Sequence, residues 1–335
     1  MLVSKTPETH KAPSSPQTET PAKKSRSEAT ATMTAVQPKP ASPPAQPEES
    51  PARVIDENTD MSTLTDQEIM NLMENMENQE NTSDKPLVST PVPLSVIREE
   101  YVKGSQQIVK KLDYLQENGW DQVWRARGDG DCFYRSFILA YLLRILHSPE
   151  PDVEANLAYD AIQRALPAME QCGFQKDIYE EFLDPLLALI RSFAESGETT
   201  ANEYSIVQAL QDPERSNYIV VSLRLITSSY IRTHTDLFSP FLFSPTTFLP
   251  LSTEQFCRQE VEPCGKEADN AQIMALAEAM NAGVRVAYLD RSEVGGKTIN
   301  WVEFGKDTSE NARPLTLLYR PGHYDVVTKD VPPKV

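Results

Sequence analysis

Residues Arg127 to Phe137 read RGDGDCFYRSF. They are followed directly by ILAYLLRIL, an apolar run that is typical of a buried helix. A single cysteine, Cys132, therefore lies where a polar loop becomes a helix. Gly128 and Gly130 permit the positive φ angles of a sharp turn. The pattern predicts a loop that turns tightly into a helix beginning at the cysteine.

A cysteine at the start of a helix is a candidate nucleophile. The thiolate is the reactive form, and the free N–H groups and dipole of a helix N-terminus favour that anion. The loop before it can aim backbone N–H groups, those of Gly130 and Asp131, at an oxyanion. An isolated cysteine is more often a buried structural residue, so a base must be found. Asp129 and Asp131 do not indicate a calcium loop, because no further ligands follow at EF-hand spacing.

The histidines of the chain decide between a catalytic and a structural cysteine. His10 lies in a polar tail, His147 ends the helix that Cys132 begins, and His234 lies in the polar RTHTD. His323 opens a predicted strand in YRPGHYDVVTK, and Asp325 follows two residues later. Residues two apart on a strand share a face, so the carboxylate can orient the imidazole. The pattern favours a thiol acyl-transfer site, and a strand edge at the surface is the alternative.

The first part of the chain has the composition of a disordered segment. Residues 1–93 contain no Phe, Trp or Tyr, yet they hold 13 of the 26 prolines. Such a segment cannot bury enough apolar surface to offset the entropy that is lost on folding. We interpret residues 1–60 as a disordered tail, residues 61–93 as a helix and linker, and residues 94–331 as the catalytic domain.

Charge and cysteine content narrow the class of protein. The net charge is −17, and both residues 1–93 and the remainder are acidic. This argues against nucleic-acid binding and favours a basic or neutral partner, although acidity for solubility alone explains it equally well. Four cysteines make no disulfide scaffold and no zinc pattern. With no signal peptide and no membrane-spanning run, we expect a cytoplasmic monomer without cofactor or metal, with the nucleus as a second location.

One helix is predicted ahead of the folded domain, at residues 64–80. Thr65 is a candidate N-cap, and Glu68 is its candidate capping-box partner. Apolar side chains recur at helical spacing and form a stripe. The stripe consists of Ile69, Leu72, Met73 and Met76. It can dock on the core of the domain, or it can bind a partner protein, because methionine suits adaptable surfaces.

The order of the predicted elements indicates the fold class. Helical patterns occur at 95–118, 132–147, 153–170, 176–196, 203–210, 215–233, 253–258 and 269–282. Strand patterns come late, at 283–290, 301–305, 315–321 and 323–329. Helices followed by strands predict an α+β fold, in which an antiparallel or mixed sheet packs between helical regions.

Five segments together resemble a known family. They read GDGDCFYRSF, YIVVSLRLITSSYI, FCRQEVEP, VRVAYLDR and LLYRPGHYDVV. In this order and near this spacing, they resemble the otubain branch of the OTU cysteine proteases, which are deubiquitinases. The resemblance covers about residues 65–329 and implies a papain-like OTU fold. It does not extend to the tail before residue 60.

The resemblance also implies roles for residues and partners for the chain. Cys132 is the expected nucleophile and His323 the expected general base and acid. Asp325 is expected to orient the imidazole, and Asp129 to hold the oxyanion loop in shape. Ubiquitin and polyubiquitin are the expected partners, with a preference for compact, proteasome-targeting chains. In relatives the helix before the core contacts ubiquitin and ubiquitin-conjugating enzymes, so the stripe at 64–80 becomes a predicted partner-binding face.

Two positions depart from the pattern of the family. Asp131 stands where the family usually has Asn, and a carboxylate near the thiol would disfavour the thiolate. Asn270 follows Asp269 where the family usually has Asp-His, which affects contacts with substrate rather than the triad. Two alternatives to an isopeptidase stay open: a binding protein that restrains ubiquitin-conjugating enzymes without cleavage, and an acyltransferase with a small-molecule acceptor.

Overall fold

The computed structural model describes residues 85–194, 200–290, 299–306 and 313–329. The predicted tail and the predicted stripe at 64–80 lie outside these residues. The α-helices are α1 (Leu94–Tyr101), α2 (Gln106–Glu117), α3 (Cys132–Leu146), α4 (Pro151–Gln171), α5 (Lys176–Arg191), α6 (Glu203–Gln211), α7 (Pro213–Thr233), α8 (Thr235–Phe238), α9 (Thr253–Phe256) and α10 (Asn270–Ala279). The strands are β1 (Val92–Pro93), β2 (Trp120–Trp124), β3 (Val284–Tyr288), β4 (Asn300–Phe304), β5 (Leu315–Arg320) and β6 (His323–Lys329).

The six strands form one mixed sheet. Their order across the sheet is β1-β2-β6-β5-β3-β4. All neighbours are antiparallel except β3 and β5, which are parallel because β4 lies outside β3 rather than between the two. In the β5–β6 hairpin, Arg320 is paired with His323. Strand β6 lies between β2 and β5, so His323, the predicted base, lies in the middle of the sheet.

Helix α3 is the centre of the main core. Almost all of its side chains are buried, from Cys132 to Ile145. One side packs on β5 and β6, and the others meet α4, α6 and α7. A helix surrounded in this way has no polar face, which explains the continuous apolar run in the sequence. On the opposite face of the sheet, α1 and α2 cover a second core, with Leu94, Ile97, Ile108 and Leu112. The predicted α+β class, with a sheet between helical regions, is confirmed.

Three predicted elements need correction. The helix predicted at 95–118 is two helices, because the chain leaves α1 at Val102 and Ser105 caps α2 by accepting from the N–H group of Ile108. Strand β2 was not predicted, since WDQVW lacks a clear alternation of apolar and polar residues. The core also begins before residue 94. Val88 is completely buried in the main core, and it forms a β-bridge with Ala126.

Among the residues that the structure describes, no helix combines the length and the apolar character needed to cross a bilayer.

Candidate active site

The loop before α3 turns as the sequence predicts, but at one glycine only. Gly130 has a φ angle of +80°. A Cβ atom at this position would lie 2.1 Å from the carbonyl oxygen of Gly265. Glycine is therefore required at 130 by both its conformation and its close contact. Gly128 does not adopt a positive φ angle, so its predicted role in the turn is wrong.

The imidazole and carboxylate of the late strand lie side by side. Gly322, with a φ angle of +76°, turns the chain so that His323 begins β6. His323 Nε2 lies 2.9 Å from Asp325 Oδ1, and both side chains are buried. The predicted shared strand face is therefore correct. It leaves the other ring nitrogen, Nδ1, for the thiol of Cys132.

Asp325 is bound by three donors. Its carboxylate accepts from His323, from Arg320 Nη2 at 2.9 Å and from the backbone N–H group of Ala126 at 3.0 Å. Burial alone raises the pKa of Asp325, but the charges of His323 and Arg320 outweigh it and hold this pKa well below its usual range. Asp325 is thus an anion at neutral pH although it is fully buried.

Cys132 and His323 are in hydrogen-bonding contact. Burial lowers the pKa of His323, but the Asp325 carboxylate and the hydrogen bond with Cys132 outweigh it and raise this pKa to about 10. A hydrogen bond from Ser136 Oγ to the carbonyl of Tyr324, at 2.9 Å, fastens α3 to β6. The first turn of the helix and the start of the strand are therefore held in register, and the thiol with them.

Asp129 supports the loop as the resemblance implies, and this corrects the predicted oxyanion donors. Its Oδ1 atom accepts from the N–H group of Asp131 at 3.1 Å and from Arg135 Nη1. The N–H group of Asp131 is thus engaged and is not available to an oxyanion. The side chain of Asp131 does not cap α3, so the N–H group of Cys132 is the better donor, together with that of Gly130.

The carboxylate of Asp131 is bound to a buried arginine, which removes the reason for the expected effect on the thiol. Arg224 donates to Asp131 Oδ1 through both Nε and Nη2, and the N–H group of Gly265 donates to the same oxygen at 3.0 Å. Arg135 adds a second positive charge, 3.8 Å from Asp131 Oδ2. The negative charge is therefore neutralised locally. Asn270, the other departure, is exposed at the start of α10.

The structure brings together residues that sequence reasoning missed. Arg135, Arg224 and Arg320 are all buried and all contact the loop or the triad carboxylate. Their signal in the sequence was a charged residue inside an otherwise apolar run, as in VVSLRLI. Buried arginines are rare unless they are paired. An arginine in such a run therefore predicts a buried acidic partner, and here two of the partners belong to the loop at 129–131.

This arrangement can perform acyl transfer through a covalent thioester. The thiol of Cys132 contacts the imidazole of His323, and the imidazole contacts the buried carboxylate of Asp325. The N–H group of Cys132, at the uncapped start of α3, can donate to an oxyanion. The imidazole has a raised pKa, so the pair can rest as thiolate and imidazolium. The four cysteines are free thiols, and within the described ranges Cys132 is the one that has a histidine partner of this kind.

The raised pKa of His323 leads to a testable prediction. In Cys132→Ala the pKa of His323 should be lower than in the wild type, because the hydrogen bond and the charge of Cys132 both raise it and the substitution removes them. NMR titration of the imidazole Cε1–H signal measures it, and the His323→Gln variant assigns the signal. A wild-type His323 that titrates at 6.5 would contradict the described contacts.

The same shift predicts how stability depends on pH. A group whose pKa is higher in the folded state stabilises the fold fully below its unfolded pKa, about 6.5 for histidine. That contribution is lost as the pH rises through the folded value. The free energy of unfolding should therefore fall between pH ~7 and ~10, and the slope should be smaller in His323→Gln.

Comparison with known proteins identifies the family. The family model described as Peptidase C65 Otubain matches residues 80–329. The chain is 34% identical, over 74% of its length and 83% of the relative, to the OVARIAN TUMOR DOMAIN-containing deubiquitinating enzyme 1 of Arabidopsis thaliana. It is 33% identical to ubiquitin thioesterase OTUB1 of Homo sapiens, over 75% of this chain and 86% of the relative.

A solved structure has the same fold. It is the structure of h/ceOTUB1 with ubiquitin aldehyde and UBC13~Ub, which matches with a TM-score of 0.65 and 28% identity over 79% of this chain and 99% of that chain. A second complex, with UBCH5B~Ub, matches with a TM-score of 0.64. The expected OTU fold is confirmed, and the chain belongs to the otubain family of peptidases, C65.

Proposed function

We propose that this chain is a deubiquitinating cysteine protease that hydrolyses isopeptide bonds in polyubiquitin. The observation that carries the proposal is the buried relay from Cys132 through His323 to Asp325, which lies at the turn formed by Gly130. Membership of a family whose relatives are named ubiquitin thioesterases supplies the substrate class. The acidic domain suits a substrate whose C-terminal tail carries arginine.

The reaction follows the chemistry of the triad in two steps. The thiolate of Cys132 attacks the carbonyl carbon of the C-terminal residue of ubiquitin, and the carbonyl oxygen becomes an oxyanion. The N–H groups of Cys132 and Gly130 stabilise that oxyanion. His323 then gives its proton to the departing lysine amine, and a thioester remains. In the second step His323 takes a proton from water, and the resulting hydroxide attacks the carbonyl carbon of the thioester. Ubiquitin leaves with a free C-terminal carboxyl group, and Cys132 is again a thiolate beside the imidazolium of His323.

The finer specificity follows from family resemblance alone. Compact, proteasome-targeting chains are the proposed substrates. Steady-state kinetics on di-ubiquitins of each linkage, at equal concentration, compare kcat/KM directly. Equal values for compact and extended linkages would remove this part of the proposal without affecting isopeptidase activity itself.

A ubiquitin probe with a C-terminal thiol-reactive group tests the activity. One adduct per chain is expected, and it should form on Cys132. The Cys132→Ala variant should react with the probe far more slowly than the wild type. Cys264 is exposed and supplies the control, because a non-specific reagent would label it first. Loss of labelling in Cys264→Ser, with Cys132 intact, would overturn the proposal.

A second function is favoured by the solved relatives. Two of them are complexes in which an otubain is bound with ubiquitin aldehyde and with UBC13~Ub or UBCH5B~Ub. We propose that this chain also binds ubiquitin-conjugating enzymes and that the predicted stripe at 64–80 is part of that surface.

Two truncations test the division between tail, stripe and domain. Deletion of residues 1–60 should leave chain cleavage and the melting temperature nearly unchanged, because that segment has no aromatic residue to add to a core. Deletion of residues 1–82 should weaken binding of chains or of a conjugating enzyme, with little change in melting temperature. Kinetics, a binding titration and thermal melts of both variants measure this.

Either of two results would contradict the partner role of the stripe. A large drop in melting temperature after deletion of 1–82 would make the helix part of the core. Unchanged binding and stability after both deletions would mean that the stripe has no docking role at all.

A further inference from the structure

Two buried arginines bind the carboxylates of the loop at 129–131. Arg135, on α3, donates to the carboxylate of Asp129 and is fixed in turn by Ser216 and Asn217. Arg224, on α7, binds the other end of the loop. Its side chain is completely buried, and its guanidinium lies 4.3 Å from the centre of the Tyr134 ring. A charge in this position is retained only where its hydrogen bonds are satisfied.

Arg224 joins three separate segments of chain through its guanidinium. It donates to the carbonyl of Gly130 at 3.1 Å, to that of Val261 at 2.8 Å and to that of Lys266 at 2.6 Å. It also donates to Asp131, as described above. Three elements therefore meet on this one side chain: the loop at 129–131, called the oxyanion turn below, the π-helical turn Cys257–Val261, and the loop around Gly265. Only the planar fork of arginine can serve acceptors in so many directions.

This junction lies where the turn is most tightly packed. Gly130 contacts the backbone of Gly265 so closely that a Cβ atom would overlap it. Asp131 accepts a hydrogen bond from the N–H group of Gly265, and Arg224 donates to the carbonyl of the next residue, Lys266. The loop around Gly265 therefore packs directly against the oxyanion turn. If the guanidinium were absent, the hydrogen bond from Gly265 to Asp131 would remain, but the carbonyls of Gly130 and Lys266 would lose the donor that they share.

We propose that Arg224 is a positioning residue for the oxyanion turn, acting through Asp131 and the carbonyl of Gly130. It fixes the peptide between Gly130 and Asp131, which lies between the two peptides that carry the proposed oxyanion donors, the N–H groups of Gly130 and Cys132. It contacts neither the substrate nor the Cys132–His323 pair. Its role in turnover rests on the proposed hydrolysis, but its effect on the loop does not.

The test compares Arg224→Lys with a matched control on the same helix. Lysine keeps the charge but loses the fork, so kcat on a fluorogenic ubiquitin amide should fall about 10²-fold, the usual effect of a disturbed oxyanion hole. KM should change little. Arg232→Met is the control, since Arg232 also lies on α7 and pairs with Glu254 and Glu262 instead. Its kcat should stay within about twofold of the wild type, as for most substitutions away from a site.

Two further readouts separate positioning from general damage. Alkylation of Cys132 by iodoacetamide needs the thiolate but no oxyanion hole, so its pH profile should be the same in Arg224→Lys and the wild type. The thiolate of Cys132 adds to the carbonyl carbon of ubiquitin aldehyde. The carbonyl oxygen becomes an oxyanion before it takes a proton. The affinity for ubiquitin aldehyde should fall in parallel with kcat, whereas the affinity for unmodified ubiquitin should not. Equal loss for both ligands would overturn the proposal.

Additional variants guard against misfolding. Arg224→Met removes the closest charge partner of the buried Asp131 and leaves Arg135 3.8 Å away, so Arg224→Met/Asp131→Asn, which removes both charges, should melt closer to the wild type. Its kcat should remain low. Asp131→Asn alone keeps an acceptor oxygen for Arg224, so its kcat should lie between those of the wild type and the double variant. Recovery of wild-type kcat in the double variant would overturn the positioning role.

Hydrogen exchange gives an answer that does not depend on turnover. Amides of residues 128–133 and 262–266 should exchange faster in Arg224→Lys than in the wild type or in Arg232→Met, while those of β6 stay unchanged. If the wild type fails to cleave ubiquitin substrates, the proposed function fails, and this experiment alone decides whether Arg224 holds the turn. Amide exchange rates in both loops that are the same in Arg224→Lys and in the wild type would exclude the positioning role of Arg224.

Discussion

Cys132→Ala is expected to abolish hydrolysis of ubiquitin chains, with a loss of about 10⁵-fold or more in kcat. The other three thiols cannot replace it. Burial raises the pKa of Cys257 to about 12, half-buried Cys172 donates to the carbonyl of Ser229, and exposed Cys264 lies outside the triad. The fold should persist. Alanine suits the first turn of a helix, and the change removes a single buried sulfur, at a cost of about 1 kcal/mol.

His323→Ala should be as damaging as Cys132→Ala, and the double variant no worse than either. Members of a catalytic unit are not additive, since each is useless without the other. Measurement of kcat/KM for both single variants and the double variant, with thermal melts of each, tests the unit. Turnover by purified Cys132→Ala, or full activity in His323→Ala, would exclude the assigned roles.

The three residues of the triad could be predicted from the sequence, because a local sequence pattern marks each of them. A glycine turn before an apolar run marks the start of α3, and strand alternation places His323 and Asp325 on one face. The long-range step, which brings β6 to α3, came from family resemblance rather than from any local pattern. Ser136 makes that contact through a backbone carbonyl, and the sequence of neither partner shows such a bond.

The missed elements depend on contacts between distant parts of the chain. Strand β2 is ordered by pairing with β1 and β6, and its partner Val327 is some two hundred residues away. The same holds for the pairing of Arg224 with Asp131. Arginine is usually exposed, so a single sequence favours a surface position until the acidic partner is known. The sequence alone therefore could not show that the carboxylate of Asp131 is paired with Arg224.

Asp325→Ala should combine a loss of activity with a large loss of stability. The imidazole loses its orienting acceptor, and kcat/KM should fall about 10³- to 10⁴-fold, less than for Cys132→Ala. The stability effect has a separate cause. Arg320 is buried, and its nearest charge partner is Asp325 at 2.9 Å, with Glu100 farther away at 3.5 Å. Removing one member of a buried pair costs about 3–5 kcal/mol.

Urea denaturation of Asp325→Ala, Asp325→Asn and Asp113→Ala separates the two effects. Asp113 pairs with Arg98 at the surface, so its loss should cost less than about 1 kcal/mol. Asparagine keeps one acceptor oxygen and should lie between alanine and the wild type. Because the pKa of Asp325 is lowered in the folded state, its contribution is complete above the unfolded pKa of about 3.9 and is lost as the pH falls through the lower folded value. The difference between wild type and Asp325→Ala should therefore be full at pH ~7 and shrink only in acid. If Asp325→Ala were as stable as Asp113→Ala, Arg320 would not depend on this carboxylate, and the network behind the triad would have to be redrawn.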